Sequence, residues 1–248
     1  MHLERPLKKE ILRFSQKLYQ KGYVANHDGN ISVKTPRGIW ATPTAQSKGD
    51  LTHEDMLVCV NSEGKQIAGK QKVFSEINLH LIAYTLRPDI QAVVHAHPPK
   101  ATAFASCGQS LHPPFIAEAI VTLGDQIPLV PFMLPGCPDT QKTLSNFLPY
   151  ADVLLLQNHG VLAVGTSLEQ AYYRLELVEH LADIEWHAKA LGQVKPLPDK
   201  TVQKLLKKRQ EIGLGRPHKD SSIVTHTQND VEKSLNQIVE EEVRRLLR

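Results

Sequence analysis

The sequence is short of several things. In 248 residues it has three cysteines, three methionines, two tryptophans and 6% aromatic content. It has no apolar run approaching the roughly 18–20 residues that span a bilayer. Cys59, Cys107 and Cys137 are odd in number and share no metal-type spacing, so neither a disulfide framework nor a thiolate zinc site is expected, only buried free thiols. The N-terminus, Met1-His2-Leu3-Glu4-Arg5-Pro6, reads directly into an amphipathic helix. A soluble, unexported, cytoplasmic protein without a membrane partner is the expectation. Charge of one sign is lacking too: Lys and Arg number 29 against 26 Asp and Glu. Residues 1–192 hold 17 basic and 18 acidic side chains, whereas residues 193–248 hold 12 and 8. A near-neutral body argues against a globular nucleic-acid binder, whose basic footprint would spread over the folded surface.

Histidine, by contrast, occurs twelve times, and imidazole is the commonest metal ligand. The length favours one large domain. Leu7, Ile11, Phe14, Leu18 and Tyr19 form a helical stripe over residues 4–22, which Gly22 can stop. Residues 31–34, 38–42 and 56–60 read as short strands separated by turns, and hence as an antiparallel sheet. A helix follows from Ser75 to the residues before Arg87-Pro88-Asp89, then an apolar strand, 92–94, that runs into His95-Ala96-His97-Pro98. Strands are expected at 127–130, 153–157 and 161–164, with helices at about 139–149 and at 167–191. The order lacks the regular alternation of a parallel doubly wound sheet. After a linker-like break at 193–198, residues 201–211 and 228–248 are amphipathic and highly charged and flank an aperiodic polar stretch, 218–230. Two parts are therefore expected, a catalytic domain of residues 1–192 and a basic, helical extension of residues 193–248.

Side chains at i and i+2 of a strand share a face, so His95 and His97 can converge on one ion. His159, at the end of the apolar run Leu154-Leu155-Leu156-Gln157-Asn158 and next to Gly160, is a third candidate. Three histidines at strand ends suit the open arrangement of a catalytic metal site. Glu76 is the carboxylate of interest. It stands at a helix start where Ser75 can cap and the helix dipole favours negative charge. His80, one turn on, is read as packing beside the site. His2, His53, His112, His180 and His187 stand in polar or helix-surface contexts.

Together these segments resemble the class II aldolase/adducin family. The resemblance rests on Gly29-Asn30-Ile31-Ser32, Thr42-Pro43-Thr44, Ser75-Glu76 with His80, Val93-Val94-His95-Ala96-His97-Pro98, Ile127-Pro128-Leu129-Val130-Pro131 and Leu156-Gln157-Asn158-His159-Gly160, in that order. Within the family the pattern is most similar to the L-fuculose-1-phosphate aldolases. The resemblance implies an α/β/α fold with a mainly antiparallel central sheet flanked by helices, and a homotetramer with active sites at subunit interfaces. It also implies one Zn2+ per chain, or another divalent metal, held by His95, His97 and His159. Glu76 matches the family's acid/base residue, which can also ligate the resting metal. The implied reaction cleaves a ketose 1-phosphate to dihydroxyacetone phosphate and an aldehyde through a metal-stabilised enediolate, with a small sugar phosphate as the only partner besides a second copy of the chain. The related L-ribulose-5-phosphate 4-epimerases typically carry aspartate at the position of Glu76, so glutamate favours aldolase. A sugar-phosphate epimerase, a decarboxylase or a methylthioribulose-phosphate dehydratase of the same family, and a non-catalytic adducin-like module, are the alternatives.

The chain departs from the pattern at the phosphate pocket. Asn30, Thr44 and Ser75 match, but Ala45 stands for a glycine and Phe74 for a serine. Ala45 still offers a backbone N–H, whereas Phe74 donates no hydroxyl hydrogen bond. Lys48 or Ser47 are candidates to compensate, and Phe74 to line a more apolar pocket. Two family tyrosines are missing. Ala117 stands at the first, beside Glu118, and no tyrosine follows Tyr173. Glu118, His218 or His226 are candidate substitutes, and the basic run Lys204, Lys207, Lys208 and Arg209 is a candidate to steer phosphorylated substrate to the site.

Overall fold

The computed structural model describes residues 4–112, 115–134 and 139–214. Contacts divide the chain into a unit of Met1–Arg216 and a unit of Pro217–Arg248. The second unit, with the expected polar stretch and last helix, His218 and His226, lies outside the described residues, as does Cys137. Eight strands form one sheet in the order β4-β3-β2-β1-β5-β8-β7-β6: β1 (Asn30–Thr35), β2 (Gly38–Ala41), β3 (Val58–Val60), β4 (Gln66–Ala68), β5 (Ala92–Ala96), β6 (Leu129–Val130), β7 (Val153–Leu156) and β8 (Gly160–Gly165). Every neighbouring pair is antiparallel except β6 and β7. The helices are α1 (Glu4–Gln20), α2 (Ile77–Leu86), α3 (Pro99–Ser106), α4 (Ala117–Leu123), α5 (Thr140–Ser145), α6 (Leu168–Leu191) and α7 (Asp199–Glu211).

Strand alternation sorts the apolar side chains into two cores. Ala92, Val94 and Ala96 of β5 face one core, built with α1, α3, α4 and α6. Val93 faces the other, built with α2 and α5. The result is the expected α/β/α layering of a mainly antiparallel sheet. Helix α1 buries Ile11, Phe14 and Leu18, but Tyr19 is half exposed, outside the stripe in which it was expected. Cys59 is buried, whereas Cys107 is exposed, contrary to the expectation for free thiols. Strand β4 and helices α3 and α4 were not anticipated. Pro98-Pro99 reads as a strand break, yet proline at the first helical position also starts a helix. The first-turn N–H groups of α3, at Lys100 and Ala101, which have no partner within the helix, are taken up by the buried Glu179 carboxylate of α6 at 2.8–3.1 Å. This fixes the chain just beyond His97.

Helix α7 packs on α4, and its Arg209 is buried rather than presented to solvent with Lys204, Lys207 and Lys208. Arg209 donates to the carbonyls of Val121 and Thr122 at the end of α4 and to Asp152 at 2.8 Å. Asp152 also pairs with Arg87 and Arg174, each at 2.8 Å. Arg209 is thereby removed from the expected steering run, because a guanidinium already spent on a buried carboxylate projects little field outwards. Asp152→Ala strips three buried guanidiniums of their common anion. It is expected to lower stability by about 3–5 kcal/mol in urea unfolding, and a loss under about 1 kcal/mol would contradict this role.

Candidate metal centre

Strand β5 lies between β1 and β8 and runs antiparallel to both. The starts of β1 and β8 therefore meet the end of β5. There Asn30 opposes His95 across the β1–β5 pair, and the turn from β7 to β8 brings up His159. Asn158 in that turn has φ 53°, the left-handed region that asparagine tolerates. Gly160 follows because a Cβ there would lie 2.5 Å from His97 Cδ2 and 2.6 Å from the Ala96 carbonyl. The three imidazoles crowd together, with ring centroids 4.6–5.2 Å apart.

One ligand atom from each of His95, His97 and His159 lies within 4.8 Å of the others, and the Nε2 atoms of His95 and His97 are 3.1 Å apart. Tetrahedral coordination at about 2.0–2.1 Å separates ligand atoms by roughly 3.3 Å. Outer partners fix both rings. His95 Nδ1 is 3.0 Å from the Val161 carbonyl, and His97 Nδ1 is 3.0 Å from Asp28 Oδ2. Each partner accepts the Nδ1 proton, which leaves Nε2 with a free lone pair, the tautomer that ligates metal. Burial also pushes the pKa of His95 and of His97 down and so keeps both neutral. The donor set and its supports fit a divalent ion.

Glu76 stands at the N-cap of α2, but neither its side chain nor that of the expected cap, Ser75, caps the helix. The carboxylate turns to the histidines instead. Oε1 is 3.0 Å from His159 Nε2, and Oε2 is 3.6 Å from His95 Nε2. Oε2 also accepts from Asn30 Nδ2 at 3.0 Å. Burial alone would raise its pKa, but the hydrogen bonds from His159 and from the Asn30 amide hold the carboxyl well below the usual range. Glu76 is therefore ionised at neutral pH.

Asn30 thus gives one Nδ2 hydrogen to Glu76, while its buried Oδ1 has no hydrogen-bond partner among the described residues. Thr44, Ala45 and Ser75 are exposed. The Thr44 amide donates to the Lys72 carbonyl at 2.9 Å, and Pro43 bridges Val73, so the two loops run side by side. Ala45 has φ 53°, the conformation natural to the glycine it stands for. Two expectations here are corrected. Phe74 is buried in the second core, 4.9 Å from the His80 ring, rather than turned to a substrate. Lys48 is buried and bonded to backbone carbonyls, so it does not replace the missing serine. Ser47 accepts from the Gly49 amide and keeps its own O–H to donate. Glu118 is exposed on α4. Sequence reasoning missed Asp28, whose signal was an acidic residue directly before the Gly29-Asn30 pair.

The Class II Aldolase and Adducin N-terminal domain family matches residues 9–186. The chain belongs to this family. A 5-deoxy-D-ribulose 1-phosphate aldolase of Bacillus thuringiensis serovar kurstaki is 30% identical over 83% of the chain and 96% of its own length. A 3-oxo-tetronate 4-phosphate decarboxylase of Escherichia coli K12 is 32% identical over 73% and 87%. Among solved structures, an L-fuculose 1-phosphate aldolase superposes with a TM-score of 0.74 at 27% identity, covering 82% of this chain and 95% of that one. Membership makes the chain a class II aldolase-type enzyme, a carbon–carbon lyase of generally metal-dependent kind. Among the described residues no helix is long and apolar enough to cross a membrane.

His80 is fully buried, with Nδ1 2.7 Å from Ser32 Oγ, and burial pushes its pKa down to about 3. It packs behind the site, as expected. The folded protein refuses a proton that the unfolded chain accepts below about pH 6.5, so stability is present above that pH and falls as pH drops towards 3. His95 and His97 act in the same direction. Urea midpoints between pH 7.5 and 5 are expected to fall less steeply for His80→Phe than for the parent; equal slopes would show that His80 titrates normally.

Proposed function

We propose that the chain is a zinc-dependent aldolase that cleaves a ketose 1-phosphate, of the L-fuculose-1-phosphate or 5-deoxyribulose-1-phosphate kind, to dihydroxyacetone phosphate and an aldehyde. Catalytic Glu76, the ligands His95, His97 and His159, and Asn30, Thr44, Ala45 and Ser75 toward the phosphate make up the site. A divalent ion held by the three histidines supplies Lewis-acid stabilisation of the negative charge that builds as the carbon–carbon bond breaks.

The observation that carries this reading is an ionised carboxylate against the histidine cluster, gripped on one oxygen by Asn30. Proton exchange at carbon needs a base of that kind beside the reacting atom. Asn30 holds Oε2 and so the orientation of the carboxylate, which leaves Oε1, on the side of His159, to carry the proton. In synthesis the ionised Glu76 removes a proton from C3 of dihydroxyacetone phosphate, and in cleavage Glu76, having taken a proton from solvent, returns it to C3 of the product. The exposed Thr44–Ala45 loop, with its glycine-like turn, offers the Ala45 backbone N–H and the Thr44 hydroxyl, and Ser75 a hydroxyl, to the phosphate. We also read the protein as a cytoplasmic homotetramer, with the exposed Phe132, Leu134 and Trp186 as apolar surface that a second copy would cover.

The similarity to a decarboxylase acting on a phosphorylated oxo acid favours a second reading in which the same site expels carbon dioxide. In both readings a carbanion is protonated, so proton exchange alone does not choose between them, and product identity does. Zinc-loaded protein given dihydroxyacetone phosphate and short aldehydes is expected to form ketose phosphate. It is also expected to exchange the C3 proton of dihydroxyacetone phosphate with solvent, and Glu76→Gln to lower that exchange by at least about 100-fold. Wild-type protein that neither condenses nor exchanges with zinc bound would overturn the aldolase reading, and release of carbon dioxide from oxo-tetronate phosphate would establish the second.

A further inference from the structure

Lys48 lies in a single helical turn, Lys48–Asp50, and is 1% exposed. Lysine is almost never buried to this degree unless paired, yet among the described residues no carboxylate lies within 4 Å of its ammonium. Nζ donates instead to two backbone carbonyls, that of His27 at 3.3 Å and that of Gln46 at 3.0 Å. Burying an ammonium costs several kcal/mol after relaxation, and burial pushes this one down to about 8, opposed by the charge of Asp28. An apolar side chain would avoid the cost, so what the ammonium holds is informative.

His27 immediately precedes Asp28. Asp28 accepts from the Ala25 amide through Oδ1 at 2.6 Å and meets His97 Nδ1 through Oδ2. Asn30, two residues on, holds Glu76. Gln46 immediately follows Ala45, the residue in the left-handed region. One buried ammonium therefore joins the turn that orients His97 and Glu76 to the loop proposed for the substrate phosphate. The two segments are otherwise eighteen or so residues apart in the chain.

We propose that Lys48 is a positioning residue. It clamps the His27–Asp28 turn to the Thr44–Gln46 loop, keeps Asp28 on His97 Nδ1, and so keeps His97 Nε2 unprotonated and aimed at the cluster. This deepens the reading of His95, His97 and His159 as metal ligands, and it makes occupancy of the phosphate loop and orientation of a ligand parts of one hydrogen-bonded unit.

The test uses the full chain without metal at pH 7, where Lys48 keeps its charge, with imidazole nitrogens read by long-range 1H–15N correlation. Wild-type His97 is expected as the Nδ1–H tautomer, and Lys48→Met and Asp28→Asn each to lose that preference while other histidine signals stay in place. Zinc affinity, measured by competition with a chelator, is expected to fall by roughly 10–100-fold in each, the usual cost of removing an outer-shell partner. The double variant is expected to be no weaker than Asp28→Asn alone, because both act through one contact. A lowered melting temperature with the tautomer of His97 unchanged would make Lys48 merely structural and overturn the proposal, as would additive losses in the double variant. If Lys48→Met does not fold, Lys48→Gln, which keeps an N–H donor without the charge, is expected to move the His97 signals the same way by less; no movement overturns the proposal. Failure of wild-type protein to bind zinc would overturn the metal reading, but the metal-free tautomer comparison still decides the role of Lys48.

Discussion

Everything at the site follows from the antiparallel seating of β5 between β1 and β8. An antiparallel neighbour begins where its partner ends, so a strand flanked on both sides in this way collects two strand starts around its own terminus. His95 sits at that terminus, Asn30 opposite it on β1, and the tight turn entering β8 carries His159. A helix start, that of α2, closes the fourth side with Glu76. Of the three histidines only His95 belongs to a strand and is fully buried; His97 and His159 stand just outside strands, one after β5 and one before β8. One end of the sheet thus places groups from four separate parts of the chain within hydrogen-bonding reach.

Electrostatics then divides the labour. Backbone and carboxylate acceptors take the Nδ1 protons of His95 and His97, burial keeps the rings neutral, and Glu76 stays ionised. The same logic appears away from the site, where Asp152 gathers Arg87, Arg174 and Arg209 and fastens α7 to the body. In both places a buried charge is tolerated because each of its hydrogen-bonding directions finds a partner from a different element.

How legible this was in the sequence depended on how local each signal is. Alternation and helical period located α1, β1, β2, α2, β5, β7, β8 and α6, and the motifs around Asn30, Glu76, His95, His97 and His159 lie at the ends of those elements, where strand and helix boundaries put chemistry. Helix α3 escaped because its two prolines signal a break as readily as a start, and α4 because seven residues carry too little period. The roles of Phe74, Lys48 and Arg209 were misjudged for a common reason. An aromatic ring can line a pocket or fill a core, and a cation can face water or a buried carbonyl; the choice is made by neighbours such as His80, His27 and Asp152, which the local period of the sequence does not reveal. Asp28 was missed because its one local signal, an acid directly before Gly29-Asn30, does not name its partner, and His97 is brought to it only by the β1–β5 pairing.

The central claim is that three imidazoles at one end of the sheet hold a divalent ion, and X-ray absorption at the zinc edge of the zinc-loaded protein reads that directly. The account predicts a nitrogen/oxygen shell at about 2.0–2.1 Å with the outer-shell scattering of about three imidazole rings and no sulfur at about 2.3 Å. A spectrum with sulfur in the shell, or with oxygen neighbours and no imidazole scattering, would contradict it.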